Sequence, residues 1–262
     1  MVRSYYYDGN QYTPRSQNEA TKGFILSSIA SGALLRASWL LNRPFEAQIK
    51  KEHSQNYLYK DAFFKSYEIS GLKNKNCKIE LAQFESGTAE SKGLNAFYEN
   101  LSRIIKLNTE KASILGFHEM GHAMNDLMSK SGKLLQKMRY PGYAIAGLME
   151  YYAIFSRTKP KGAPRNLTDI IEDNCGKFAF FAMLPVVAEE AIASSKGIQL
   201  AKKAGLSEPL IKNMKKLYGK ALLTYASRAV FGGVAVALSR FIMDKYTRPK
   251  IVEEEILPID IF

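Results

Sequence analysis

Phe117-His118-Glu119-Met120-Gly121-His122-Ala123 is the stretch on which the reading of this chain turns. It has the form H-E-x-x-H. On a helix, His118 and His122 lie four residues apart, so they share one face and sit one turn from each other. Two neutral imidazoles at that spacing can hold one Zn²⁺. Glu119 falls beside them. There a carboxylate can take a proton from a metal-polarised water and return it to a leaving amine. That chemistry needs two nitrogen ligands, one carboxylate base and an open metal position.

The surroundings suit such a helix. Ile114, Phe117, Gly121, Met124 and Met128 form one apolar face, with the histidines and Glu119 to its side. Upstream, Arg103-Ile104-Ile105-Lys106-Leu107 is short and β-branched and reads as a strand. Asn108 or Thr109 can cap the following helix, with Glu110 in its first turn. Cys77 to Phe84 alternates apolar and polar, as a half-exposed strand does, and Asn95 to Leu107 supplies one or two more. The expected fold is α+β and predominantly helical. A zincin-like H-E-x-x-H helix packs on a small, mostly antiparallel sheet, whose edge strand could hold an extended peptide.

The 262 residues are 46% apolar and 24% charged, a globular composition. Cys77 and Cys175 are too few for a disulfide framework. Met1 to Arg15 is polar and tyrosine-rich, unlike the usual signal peptide. The net charge of +12 suits an anionic membrane surface. The basic residues form no stripe interleaved with aromatics, so no nucleic-acid partner is expected.

Met1 to Thr21 reads as irregular. Gly23 to Leu41 is strongly apolar but interrupted by Arg36, so it is either a membrane anchor or a buried helix of a soluble fold. Asn42 to Lys75 is a polar connection with helical stretches at 44–51 and 56–67, and its His53 reads as a surface residue. Beyond the metal helix, Ser129 to Gly132 has loop chemistry, and an apolar helix over 133–155 should be broken by Pro141 and Gly142. Cys175 to Lys196 and Lys215 to Met243 are further helical patterns. No run reaches about 18 uncharged apolar residues, the length of a secure membrane span. Three segments follow: 1–75, helical, with a candidate anchor at 23–41; 76–248, the metal domain; and 249–262, a tail.

Zinc wants a third protein ligand. The position six residues past His122 is Met128, which excludes a third histidine there. A downstream carboxylate is left: Asp126, Glu150, Asp169, Glu172, Asp173, Glu189, Glu190 or Glu208. Asp126, one turn along the same helix, suits a supporting role better. Glu189 and Glu190 stand out as acids inside an apolar stretch, because a buried carboxylate is costly unless paired or metal-bound.

His118-Glu-Met-Gly-His-Ala123, then Leu184-Pro-Val186, Glu190-x-x-Ala193-Ser194 and Ala221-Leu-Leu-Thr-Tyr-Ala226, resemble the bacterial membrane-associated neutral zinc metallopeptidases of the YugP type. The resemblance covers roughly residues 104 to 238. It implies that Glu190 is the third, gluzincin-like ligand and that Ser194 orients a zinc histidine. The expected activity is zinc-dependent hydrolysis of protein or peptide substrates, with Glu119 as general base. Tyr225 and Arg228 are candidates for stabilising the oxyanion. The alternative is a basic, zinc-binding protein at a membrane surface that cleaves nothing. The expected location is a membrane, with the cytoplasm as the alternative.

Overall fold

The computed structural model describes residues 5–7, 10–52, 58–82, 96–108, 114–156, 158–160 and 162–251. Thr109, Glu110 and His53 lie outside them. So do the proposed helix cap at 109 and most of the tail.

Helix dominates. Strands β1 (Tyr5–Tyr7) and β2 (Asn10–Thr13) precede α1 (Gln17–Glu52) and α2 (Lys60–Ser70). Next come β3 (Lys78–Ala82), β4 (Ala96–Glu99) and β5 (Ile104–Asn108). Helices α3 (Ile114–Met128), α4 (Lys130–Phe155), α5 (Leu167–Asp173), α6 (Cys175–Lys203) and α7 (Glu208–Thr247) follow, then β6 (Lys250–Ile251). The chain divides into two compact units, each discontinuous in sequence: residues 1–36, 145–181 and 231–262 in one, and 37–144 with 182–230 in the other.

The second unit holds α3 and its sheet, in the order β3-β5-β4. β4 runs antiparallel to β5, but β3 is parallel to it, so the sheet is mixed and not mostly antiparallel. β3 and β4 thus run antiparallel with β5 between them, and the stretch joining them is long enough to leave that place open, which a tight hairpin is not. Ile105 and Leu107 point to the same side and are fully buried, whereas Lys106 on the other side lies over the Phe97 ring and pairs with Glu99. α3 buries Ile114, Phe117 and Met120, at a helical spacing of three, in the same core. Phe117 meets Phe63 edge to face at 5.7 Å. Burial of Phe117 alone contributes about 1.5–3 kcal/mol. Met128, expected on the apolar face, is exposed at the helix end.

α3 and α4 both approach α6 closely. A Cβ on Gly121 would overlap the Ala193 carbonyl, and one on Gly197 would sit 2.5 Å from the Phe117 carbonyl oxygen. α3 and α6 therefore cross with their backbones in contact. Gly142 of α4 likewise leaves no room for a Cβ against the Ala182 carbonyl. That contact explains a correction. Pro141 and Gly142 do not break α4, which runs unbroken across them. The carbonyl left without a partner by proline is a local cost, and the glycine beside it lets α4 seat against α6. The expected loop at 129–132 shrinks to Ser129, whose hydroxyl accepts from the Gly132 N–H. The N-terminus is also corrected: Met1 to Thr21 is not irregular throughout, since β1, β2 and β6 form an antiparallel sheet and α1 begins at Gln17.

In the first unit, Gly176 of α6 meets the Gly233 carbonyl and Ala237 of α7. Glu150 accepts from Ser239, and Arg240 pairs with Glu172 and Asp244. Asn166 and Asp169 form a reciprocal capping box that starts α5.

Among the described residues, three helical segments are long and apolar enough to cross a membrane: Gln17–Pro44, Cys175–Lys203 and Glu208–Thr247. Each is interrupted by charged residues, so none is an uncharged run of 18, and the candidate anchor at 23–41 lies within the first. A single charge such as Arg36 does not remove the apolar character of an 18-residue window. Only 11% of the window in the first segment is buried within the protein. The positions that are buried there are Gly23, Ser27, Ser38 and Asn42, while Ile25, Ile29, Leu35 and Leu41 are half or more exposed. The buried positions are small or polar, and the largest apolar side chains face outward.

Candidate metal centre

α3 presents His118 and His122 from adjacent turns, and their Nε2 atoms lie 3.0 Å apart. Glu190, from the middle of α6, places Oε2 3.0 Å from His118 Nε2 and 3.7 Å from His122 Nε2. Three donor atoms thus form a small triangle. Ligands at the corners of a tetrahedron about 2.0–2.1 Å from zinc stand about 3.3–3.4 Å apart. The triangle of 3.0, 3.0 and 3.7 Å is close to that size, so these residues could hold a metal ion. Both groups of neighbouring acids and histidines, His118-Glu119-His122 and His122-Glu189-Glu190, could hold a metal.

The outward side of each ligand is also engaged. His122 Nδ1 donates to Glu189 Oε1 at 2.8 Å, and that oxygen accepts from Asn125 Nδ2 at 2.9 Å. Ser194 Oγ lies 3.1 Å from His118 Nδ1. Such partners fix which imidazole nitrogen faces a metal. The His118 ring also rests 5.5 Å from the Tyr218 ring, whose hydroxyl donates to the Ile114 carbonyl. Gln136 of α4 donates to the His122 carbonyl at 2.9 Å.

Glu189 and Glu190 are both almost wholly buried. One cation serves both. Arg139 of α4 donates through Nη1 to Glu189 Oε2 at 3.0 Å and through Nη2 to Glu190 Oε1 at 2.8 Å. Of the two adjacent acids, Glu190 therefore faces the pair of Nε2 atoms, and Glu189 backs His122.

Glu119 points from α3 toward the sheet edge. Its Oε2 accepts from the backbone N–H of Tyr98 in β4 at 2.8 Å. Its carboxylate lies within 4.8 Å of the donor atoms of both histidines. Burial pushes the Glu119 carboxyl upward and the Glu190 charge adds to this, against the pull of His122, His118 and the Tyr98 N–H. Burial works against a charged His122, but its hydrogen bond to Glu189 and the charges of Glu119, Glu189 and Glu190 win and raise it to about 9.

This shift has a sign that can be measured. A cation must displace the proton from His122, so its affinity should climb by up to about tenfold per pH unit as pH rises from 6 toward 9. Competition with a chelator at pH 6, 7 and 8 would show it, and a flat profile would mean that His122 is neutral before metal binds. Without metal the charged His122 stabilises the fold fully below about 6.5, and that contribution fades as pH climbs through about 9.

The other candidate carboxylates are engaged elsewhere. Asp126 accepts from the Tyr98 hydroxyl at 2.9 Å, Glu150 from Ser239, Asp169 from Lys159, and Glu172 and Asp173 pair with Arg240 and Arg165. Glu208 starts α7. Tyr225 lies within electrostatic range of Arg139, and the Arg228 guanidinium sits 5.9 Å over the Tyr225 ring. Arg139, Asn125, Gln136 and the Tyr98 N–H were not singled out from sequence. Asn125 could have been found, because it falls three residues after His122 on the same face. Two adjacent buried acids also demanded a cation, though not which one.

Comparison of the chain with protein-family models, curated proteins and solved structures returns no match.

Proposed function

We propose that this chain is a zinc-dependent metallopeptidase held in a membrane. The observation that carries the reading is the convergence of His118 Nε2, His122 Nε2 and Glu190 Oε2, with Glu119 beside them on the same helix. The donor set, two imidazoles and one carboxylate, is of the kind used by catalytic zinc sites. Zinc, when bound, supplies a Lewis acid that makes a water nucleophilic at neutral pH and polarises a carbonyl. A purely structural site would have no use for Glu119.

The protein's own groups then divide the work. Glu119 takes a proton from the water as its oxygen bonds to the peptide carbon. It delivers that proton to the amide nitrogen as the C–N bond breaks, leaving one acid and one amine product. The Tyr98 N–H holds Glu119 in place meanwhile. Glu189 and Ser194 keep the imidazoles oriented. Tyr225, near Arg139, is the nearer candidate for steadying charge on the carbonyl oxygen; Arg228 is exposed.

The membrane part of the proposal rests on α1. Its buried positions are small or polar and its largest apolar side chains face outward, the arrangement expected where lipid replaces water.

One preparation tests both parts. The full-length protein should stay with membranes through an alkaline wash and need detergent for release. The released protein should carry about one zinc per chain by elemental analysis. His118→Ala should lose it, and Glu190→Gln should hold it far more weakly than Glu189→Gln. No zinc in folded wild type would end the peptidase reading, and release by the wash would end the membrane reading.

A further inference from the structure

Two adjacent carboxylates present four oxygens at this site, and each has a separate assignment. Glu189 Oε1 serves His122 Nδ1 and Asn125. Glu189 Oε2 and Glu190 Oε1 are taken by the two arms of Arg139, at 3.0 and 2.8 Å. Glu190 Oε2 alone faces the two Nε2 atoms. A guanidinium usually grips one carboxylate with two parallel bonds. Here it spans two carboxylates, one N–H to each.

We propose that Arg139 is a positioning residue that makes Glu190 a one-oxygen metal ligand, which selects a four-coordinate ion over cations that take a chelating carboxylate. The inference rests on the metal reading of the preceding section. With Oε1 tied to Arg139, Glu190 cannot swing both oxygens toward the histidines. The site then offers three donors and one open direction, as zinc needs; calcium, which takes six to eight oxygens and accepts bidentate carboxylates, is poorly served. The charge count agrees. Glu119, Glu189 and Glu190 carry three negative charges when ionised, which a dication and Arg139 together neutralise.

A role in charge alone and a role in positioning predict opposite signs. Removal of a positive charge beside a cation site should tighten cation binding. Loss of a group that orients a ligand should weaken it, by about 10–100-fold. Arg139→Gln and Arg139→Lys should therefore both bind zinc about 10–100-fold more weakly than wild type, the lysine variant included, because one ammonium cannot reproduce the fork.

The experiment uses the full-length, detergent-released protein titrated with Zn²⁺ and, separately, with Co²⁺. Wild type loaded with one Co²⁺ should show the intense visible absorption of four-coordinate cobalt. In both variants the intensity per bound ion should fall severalfold as Glu190 chelates or water joins. Zinc affinity that rises in Arg139→Gln while the cobalt spectrum stays as in wild type would overturn the proposal, and so would a lysine variant equal to wild type in both readouts. If Arg139→Gln does not fold, the lysine variant, which keeps the charge, decides alone. Wild type that binds neither ion would instead remove the metal reading itself.

Discussion

Glu119→Gln is expected to purify with the wild-type metal content and to lose peptide hydrolysis by at least about a hundredfold, and up to about ten-thousandfold. The substitution is nearly isosteric. Its amide oxygen can still accept from the Tyr98 N–H, so β4 and α3 should keep their contact. His118, His122 and Glu190 are untouched. What disappears is the capacity to accept a proton from the attacking water and pass it to the leaving nitrogen. Zinc content and melting temperature would be measured beside turnover of an unstructured protein substrate. Retained activity with retained zinc would mean that Glu119 is no base. Lost activity together with lost zinc would point to a structural part for it in the metal site.

Gly121→Val should have the second large effect, through the backbone rather than through chemistry. Even the first carbon of a side chain at 121 would fall 2.6 Å from the Ala193 carbonyl carbon and 2.8 Å from its Cα. Backbone inside two helices cannot move aside as a flexible side chain can. α3 and α6 would have to separate, and they carry the two halves of the site: the histidines on one, Glu189, Glu190 and Ser194 on the other. Overpacking of this kind costs about 1–3 kcal/mol. Bound zinc should fall in parallel with the melting temperature. Gly219→Ala is the control: a Cβ there meets nothing within 4 Å, and loss of a mid-helix glycine should stabilise by about 0.5–1 kcal/mol. If Gly121→Val kept full zinc content, the close crossing would not be what sets the site's geometry.

The histidines and Glu119 were legible because their relation is local: a spacing of four on one helix puts two rings on one face whatever the rest of the chain does. Glu189 and Glu190 were legible as a pair, from two acids in an apolar stretch, but their division of labour was not. Neighbours on a helix point about 100° apart, and only the approach of α3 decides which of them meets the Nε2 atoms and which meets Nδ1. Arg139 was invisible for the same reason, being tied to both acids only through the contact of α4 with α6. Helix length is misjudged where proline reads as a break or a start. Pro44 and Pro141 both lie inside helices, and Gly142 marks a contact and not an end. The parallel pairing of β3 was likewise out of reach, because strand spacing in sequence does not fix direction once the connection is long.

The separation of 72 positions from His118 to Glu190 imposes an order of events while the chain is being made. At about 5–20 residues per second, a ribosome needs roughly 4–14 seconds to pass from the first histidine to the glutamate. For most of that interval the nascent chain carries both imidazoles and the carboxylate of Glu119 but neither Glu189 nor Glu190. A chain stalled before α6 is thus born without the acids that complete the triangle. Any hydrolytic capacity is withheld until α6 has been synthesised.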